Sequence, residues 1–119
     1  MILSLHHIQL ALPKGGEDSA RAFYGGVLEL AEVEKPEVLR SRGGVWFESG
    51  AVRLHLGVEE PFTPARKAHP AFAVAELDAV VARLDHLGVA WRRETDLPGM
   101  RRIYLDDPFG NRIELLQLL

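Results

Sequence analysis

The chain has 119 residues, enough for one domain, of which 47% are hydrophobic and 26% are charged, with a formal net charge of -3. Charges of both signs are spread along the chain, which excludes the basic footprint of a nucleic-acid-binding protein. No apolar run approaches the ~20 residues of a membrane span, and the first twelve residues lack the features of a signal peptide, so we expect a cytoplasmic protein with no membrane partner.

The first half of the chain predicts a strand, a helix and then three strands. Short apolar runs indicate strands, while apolar residues at helical spacing and an acidic start indicate the helix. The last two strands form a hairpin that turns at Ser49-Gly50. The predicted elements are a strand at 6–12, a helix at 17–30, a short strand within 31–40 and the hairpin at 45–58.

The second half repeats this pattern. Its elements are a strand at 69–74, a helix at 76–89, a short strand at 89–94 and a hairpin at 101–117 that turns through 107–111. We therefore predict an α+β fold of two tandem βαβββ modules, which form a curved mixed sheet around a cavity. The whole chain, 1–119, is one domain, with module one at about 1–58, a proline-containing joint at 59–67 and module two at 68–119.

Each half-buried strand turns a polar side chain away from its apolar face. Alternate residues of a strand point to opposite faces. In the first strand Ile8 lies on the apolar face, which leaves His7 and Gln9 on the other. The same alternation in the later strands leaves a further set on the polar face, namely Arg53, His55, His69, Arg112 and Glu114.

The repeat places four of these residues in matching positions. His7 and His69 lie at the opening of the first strand of each module, and His55 and Glu114 lie in the last strand of each. If the modules pack with pseudo-two-fold symmetry, all four converge on one cavity. The chain has no cysteine, so only imidazole and carboxylate can hold a metal here. That donor set suits Zn, Ni, Mn, Fe or Co.

Three segments resemble the vicinal-oxygen-chelate superfamily. LHHIQLAL (5–12) and RAFYGGVLEL (21–30) are similar to its opening strand and helix, and YLDDPFGNRIELLQ (104–117) is similar to its closing hairpin, the most specific of the three. The resemblance covers essentially the whole chain. Members of this superfamily include glyoxalase I, methylmalonyl-CoA epimerase, fosfomycin-modifying enzymes, extradiol dioxygenases and metal-free bleomycin-binding proteins.

The resemblance implies a site for one divalent metal ion. It implies that His7, His69 and Glu114 are ligands, and it places His55 in the slot of a fourth ligand, where the superfamily commonly has Glu or Gln. Tyr104 stands ten residues before Glu114, the spacing of a Tyr in the dioxygenase branch. That branch also has a catalytic His shortly before the Tyr, and 96–103 contains none.

Four further residues are candidates for the same cavity. Tyr104 would act as an acid or hydrogen-bond donor, and Arg102 would bind an anionic part of the substrate; the alternative is a cross-strand aromatic beside a surface arginine. Gln9 and Arg53 are the other candidate substrate-binding residues. Glu114 is the candidate base, so Glu114 and Tyr104 form the predicted catalytic pair.

These observations leave three functions open. The favoured one is a metal-dependent lyase or isomerase that binds a small substrate through two neighbouring oxygens. An extradiol-type dioxygenase comes second. A non-catalytic small-molecule or antibiotic-binding resistance protein, or a metal-stabilised scaffold without turnover, is the third class. Open strand edges in so short a chain also favour a homodimer.

Overall fold

The computed structural model describes all 119 residues, and it confirms the α+β fold of two βαβββ modules. The chain divides into two compact units, Met1–Pro64 and Ala65–Leu119. Each unit contains one four-stranded mixed sheet, and the strand orders correspond: β1-β4-β3-β2 in the first and β5-β8-β7-β6 in the second. The internal repeat seen in the sequence is therefore a repeat of the whole supersecondary unit.

The first unit follows the predicted order. Its elements are β1 (Ile8–Leu12), α1 (Glu17–Ala20) continued by a π-helix (Arg21–Val27), β2 (Ala31–Val33), a 3₁₀-helix (Glu37–Arg42), β3 (Val45–Ser49) and β4 (Val52–Val58). β1 pairs in parallel with β4, which pairs antiparallel with β3. Alternation along the strands buries one face of this sheet, whose side chains include Leu12, Phe47, Leu54 and Leu56.

The first helix differs from the prediction of a regular helix over 17–30. The α-helical part has no side-chain cap and begins after Gly16, and from Arg21 the chain widens into seven residues of π-helix. Gly25 and Gly26 lie in this wide part. A Cβ on Gly25 would stand 3.7 Å from the Phe47 ring, an ordinary van der Waals contact, so this part of the helix packs against β3. Phe23 and Tyr24 are buried against the sheet.

The second unit has the same construction with a regular helix. Its elements are β5 (Ala71–Ala73), α2 (Leu77–His86), β6 (Arg92–Arg93), β7 (Met100–Asp106) and β8 (Arg112–Leu118). Leu77 and Leu84 are the buried residues of α2, seven apart as an amphipathic helix requires. The side chain of Gln117 in β8 accepts a hydrogen bond from the backbone N–H of Leu77 at 2.8 Å, which ties the start of α2 to the sheet. None of the helices has the length and hydrophobicity of a membrane span.

Gly44, just before β3, gives a first testable prediction. Its φ is +86°, and a Cβ there would lie 2.2 Å from the carbonyl oxygen of Leu56. We expect Gly44→Ala to lower the free energy of unfolding by roughly 2–4 kcal/mol, because backbone strain and a collision with backbone add together. Denaturant unfolding followed by circular dichroism measures this.

Gly50 in the β3–β4 turn is the matched control. It also has a positive φ, +56°, but a Cβ there meets nothing within 4 Å. Gly50→Ala carries the conformational cost alone and should lose about 1 kcal/mol. Equal losses in the two variants would contradict the role assigned to the close approach of Gly44 to β4.

Candidate metal and substrate site

Within the first unit, the strand register gathers the predicted polar residues on one face of the sheet. Gln9 of β1 stands opposite His55 of β4, and His55 stands opposite Trp46 of β3. His7 comes one residue before β1 begins. The helices pack on the other face, so this face holds the candidate donors of the unit.

His55 lies between two aromatic rings. The Trp46 ring is stacked parallel to it, with centroids 3.7 Å apart, and the His7 ring is stacked at 4.4 Å with an interplanar angle of 22°. His55 is 5% exposed, whereas His7 is exposed and has a contact of 3.0 Å between its Nδ1 and that of His6. The first unit thus holds two of the four predicted ligands as a stacked imidazole pair.

Burial of His55 favours its neutral form. Desolvation is the largest cause that lowers the pKa of His55 below its ordinary value of 6.5, and the charge of a protonated His7 lowers it further. A neutral imidazole is the form that can donate a lone pair to a metal. His55 is therefore in the protonation state that a ligand needs.

The lowered pKa of His55 predicts that acid destabilises the metal-free protein. Below pH 6.5 the unfolded chain takes up a proton on His55 before the folded chain does. The stability contributed by neutral His55 is fully present above pH 6.5 and is lost as the pH falls through the folded-state pKa. Urea unfolding in the presence of a chelator, between about pH 7.5 and pH 5, measures this change.

Two substitutions test whether His55 causes this pH dependence of the free energy of unfolding. His55→Phe should flatten the fall in unfolding free energy, because the titrating group is gone. His86→Phe is the control, since His86 is exposed at the end of α2, and it should leave the fall unchanged. If His55→Phe kept the same pH dependence as the unsubstituted chain, burial of His55 would not be its cause.

Within the second unit, His69 and Glu114 meet directly. Nε2 of His69 lies 2.9 Å from Oε1 of Glu114. Glu114 is only 6% exposed, and it belongs to β8, paired with Ala71 of β5 on one side and Tyr104 of β7 on the other. His69 comes two residues before β5 begins. The second unit therefore brings the other two predicted ligands into contact.

The contact made by Nδ1 of His69 determines which role is left for its Nε2. Nδ1 lies 2.9 Å from the carbonyl oxygen of Lys67, and a carbonyl oxygen only accepts, so Nδ1 carries a proton. Nε2 is left facing Glu114, where a bound cation would accept its lone pair. Holding one ring nitrogen on a backbone carbonyl is the usual way in which a metal-binding histidine is oriented.

Arg102 and Tyr104 stand beside this pair. Nη1 of Arg102 lies 3.5 Å from Oε1 of Glu114 and 3.2 Å from the Tyr104 hydroxyl. Nε of Arg102 donates to the backbone oxygen of Thr95 at 2.8 Å, which fixes the guanidinium. The His69 and Tyr104 rings meet edge to face at 5.2 Å. A fixed cation and a phenol thus adjoin a buried carboxylate.

The remaining two candidates, Gln9 and Arg53, lie in the first unit. Gln9 lines a cavity of about 260 Å³ together with Trp46, and its amide nitrogen would lie 2.5 Å from a Cβ on Gly57. Arg53 is exposed, with Nη1 3.4 Å from the backbone oxygen of His6 and Nε 3.9 Å from Glu48. Gln9 is placed in a cavity wall, and Arg53 lies at the surface near the histidines.

The donors fit a divalent metal in their chemistry. Two imidazoles stack in the first unit, and an imidazole meets a buried carboxylate in the second, which is the borderline donor set that Zn and its neighbours accept. Neither unit contains a group of three or more His, Asp or Glu side chains placed to hold a metal ion. Each unit supplies two of the four predicted ligands.

Sequence reasoning missed two residues that the structure places in these clusters. Trp46 was not among the predicted site residues, yet its ring is stacked on that of His55. Arg112 was noted only as a polar-face residue, yet its guanidinium lies 4.9 Å from the centroid of the Tyr104 ring. The register of the two hairpins was the available signal, since it places Trp46 opposite His55 and Tyr104 opposite Glu114.

Known proteins similar to this chain share one family. The sequence profile described as "Glyoxalase/Bleomycin resistance protein/Dioxygenase superfamily" matches residues 4–115. A glyoxalase family protein from Bacillus anthracis is 43% identical, with a TM-score of 0.97 over 100% of this chain and 98% of that one. A glyoxalase/dioxygenase from Nostoc punctiforme is 25% identical, with a TM-score of 0.79 over 98% of this chain and 91% of that one.

More distant structures agree in fold. Lactoylglutathione lyase from Agrobacterium tumefaciens is 22% identical, with a TM-score of 0.77 over 96% of this chain and 92% of that one. At that identity the likeness shows the shared fold alone. No curated protein sequence matches the chain at a significant level.

Proposed function

We propose that this chain, which belongs to the glyoxalase/bleomycin resistance protein/dioxygenase superfamily, is a divalent-metal-dependent enzyme. Its substrate is a small molecule that binds through two neighbouring oxygens, and its chemistry is that of a lyase or isomerase. The contact of 2.9 Å between His69 and the buried Glu114 carries this proposal. The carboxylate of this pair is buried, and the imidazole has its other nitrogen on a backbone carbonyl, which is a usual arrangement of a metal-binding histidine.

The proposed ligands are those predicted from the sequence: His7, His55, His69 and Glu114. When bound, the metal would act as a Lewis acid and stabilise negative charge that develops on a substrate oxygen. Lys67 holds His69 in orientation through its carbonyl. Among the four proposed ligands, His69 and Glu114 of the second unit are the two that the observed contacts support best.

The protein's own groups would handle the proton. Glu114 would accept a proton from the carbon next to the substrate carbonyl, and the Tyr104 hydroxyl would donate a hydrogen bond to the oxygen that gains charge. Arg102 contacts both side chains, so it would hold Glu114 and Tyr104 in place. Gln9 and Arg53 are the proposed further contacts to substrate.

Substrate turnover tests this proposal. Metal-loaded protein would be assayed with hemithioacetals, 2-methyl-branched CoA esters, fosfomycin plus thiols, and catechols, with nuclear magnetic resonance in D₂O to detect exchange of the carbon-bound proton. We expect exchange or turnover in one carbonyl class that disappears after chelation and in Glu114→Gln. Turnover that survives both treatments would contradict the proposal.

An extradiol-type dioxygenase is the second candidate. The observation that favours it is the pairing of Tyr104 directly opposite Glu114 in the β7–β8 hairpin, with His69 against both. The segment 96–103 offers no His for the acid-base step of ring cleavage. Oxygen consumption with a catechol and Fe(II) would establish this candidate in place of the first, whereas a non-catalytic binding protein would show neither reaction.

The homodimer predicted from the sequence is also proposed. β1 and β5 are edge strands of their sheets, and Met1, Ile2, Leu3 and Leu5 expose their apolar side chains before β1. Open edges and exposed apolar residues favour association with a second copy. Light scattering after size-exclusion chromatography should give twice the chain mass, and a monomer at all concentrations would contradict it.

A further inference from the structure

A cavity in the second unit is lined mainly by arginine. It measures about 230 Å³, and its lining residues are Arg66, Arg92, Asp106, Gly110 and Arg112. None of these residues is among the predicted ligands or substrate contacts. We call this cavity the arginine pocket. Three guanidinium groups face one carboxylate there, so the lining carries a formal excess of positive charge.

A rigid turn builds the arginine pocket. Asp107 and Asn111 are buried, and the Asp107 carboxylate accepts hydrogen bonds from the Asn111 backbone at 2.9 Å and from its side-chain amide at 2.8 Å. Both backbone groups of Ala65 are bonded to this turn: its N–H donates to Oδ1 of Asn111, and its oxygen accepts from the N–H of Arg112. The turn therefore fixes the backbone on which Arg66 and Arg112 stand.

The arginines of the pocket differ in how they are partnered. Arg92 forms an ion pair with Asp106 at 3.1 Å. Arg112 has no carboxylate partner: its guanidinium lies over the Tyr104 ring, and its Nε is buried without a hydrogen-bond acceptor. Arg66 is exposed at the rim and forms no ion pair. Glu94 lies close enough to feel the charge of Arg112 but does not bond to it.

A buried guanidinium nitrogen without an acceptor costs free energy until something accepts its hydrogen. Arginine presents a planar fork of donors that matches the oxygens of carboxylates and phosphates. The cavity is smaller than the ~300 Å³ lower end of drug-sized ligand sites, so it suits an ion or a terminal group. Two guanidinium groups without a carboxylate suit a ligand with two negative charges.

We propose that the arginine pocket binds a small dianionic oxyanion of the phosphate class, held between Arg66 and Arg112. Arg92, already paired with Asp106, forms the opposite wall. None of its lining residues is a proposed metal ligand, although Arg112 lies over the ring of Tyr104, and phosphate binding is expected whether or not a metal is present. Phosphate binding in the absence of a metal therefore tests the arginine pocket separately from the proposed enzymatic function.

Titration of the full-length chain with inorganic phosphate tests this. The experiment is isothermal calorimetry at constant ionic strength with a chelator present, so that no metal contributes to binding. We expect saturable binding with one site per chain, tighter than that of acetate. Arg66→Met and Arg112→Met should each weaken phosphate binding by about tenfold or more, because each removes charge-assisted hydrogen bonds.

Neighbouring cations provide matched controls. Lys67→Met removes the same charge one residue from Arg66, and Arg93→Met removes it on the opposite face of β6, where Arg93 lies over Trp91. Both should keep phosphate affinity within about twofold, since only general charge changes. Absence of saturable binding, equal losses in the controls, or phosphate binding no tighter than acetate would overturn the proposal. Because Arg66 is exposed, Arg66→Met keeps the test valid if Arg112→Met fails to fold.

Discussion

Replacing Glu114 by glutamine is expected to lower the affinity of the protein for a divalent metal by about 100-fold or more, because a ligand should matter at least as much as its supporting partners. Glutamine keeps the shape of the side chain but removes the negative charge. The carboxylate is 6% exposed and touches His69, so no water-exposed group can replace it easily. Competition titration against a chromophoric chelator measures the affinity, and circular dichroism checks the fold.

Glu76→Gln is the matched control for this substitution. Glu76 is exposed at the N-terminus of α2 and makes no side-chain capping bond, so the same chemical change there should leave metal affinity unaltered. His69→Ala should reproduce the loss seen with Glu114→Gln, since it removes the partner imidazole. A Glu114→Gln protein with undiminished affinity would refute the assignment of Glu114 as a ligand.

Phe47→Ala is expected to lower the free energy of unfolding by about 3–5 kcal/mol, the usual cost of emptying a buried aromatic site. Phe47 is fully buried in β3, its ring is 5.7 Å from that of Tyr24, and it stands close to Gly25 in the π-helix. Urea unfolding followed by circular dichroism measures the loss.

Val38→Ala is the control for that measurement. Val38 is 82% exposed in the 3₁₀-helix, and a surface truncation of this kind should change stability by less than about 0.5 kcal/mol. A loss below about 1 kcal/mol in Phe47→Ala would mean that the first unit repacks freely around β3. That result would contradict the placement of Phe47 in the packed core of the first unit.

Much of the fold could be predicted from the sequence because strand alternation reports burial directly. The alternation around His55 and around Glu114 predicted which side chains face away from the core. The predicted turn at 107–111 agrees with the β7–β8 hairpin, whereas the β3–β4 hairpin turns at Gly50-Ala51 and not at Ser49-Gly50, because Ser49 pairs with Val52. Once the register is known, the pairing of Tyr104 with Glu114 follows. The sequence repeat predicted the same succession of elements in both modules, and their sheets also have corresponding strand orders.

Other features could not be predicted because they depend on distances between elements. Helical spacing over 17–30 gives no sign of the widening at Arg21–Val27. The stacking of Trp46 on His55 depends on rotamers as well as register. Arg66 lies far from Arg92 and Arg112 along the chain, and only the hydrogen bonds of Ala65 to the turn bring it to their pocket.

Metal content is the most direct test of the central claim that this chain is a metal-dependent member of its superfamily. Protein purified without chelator would be analysed by inductively coupled plasma mass spectrometry, and chelated protein would then be reloaded with each of Zn, Ni, Mn, Fe and Co. We expect close to one equivalent of a divalent metal per chain, either as purified or after reloading. A chain that holds no stoichiometric divalent metal, and to which none can be restored, would contradict the assignment of His7, His55, His69 and Glu114 as ligands.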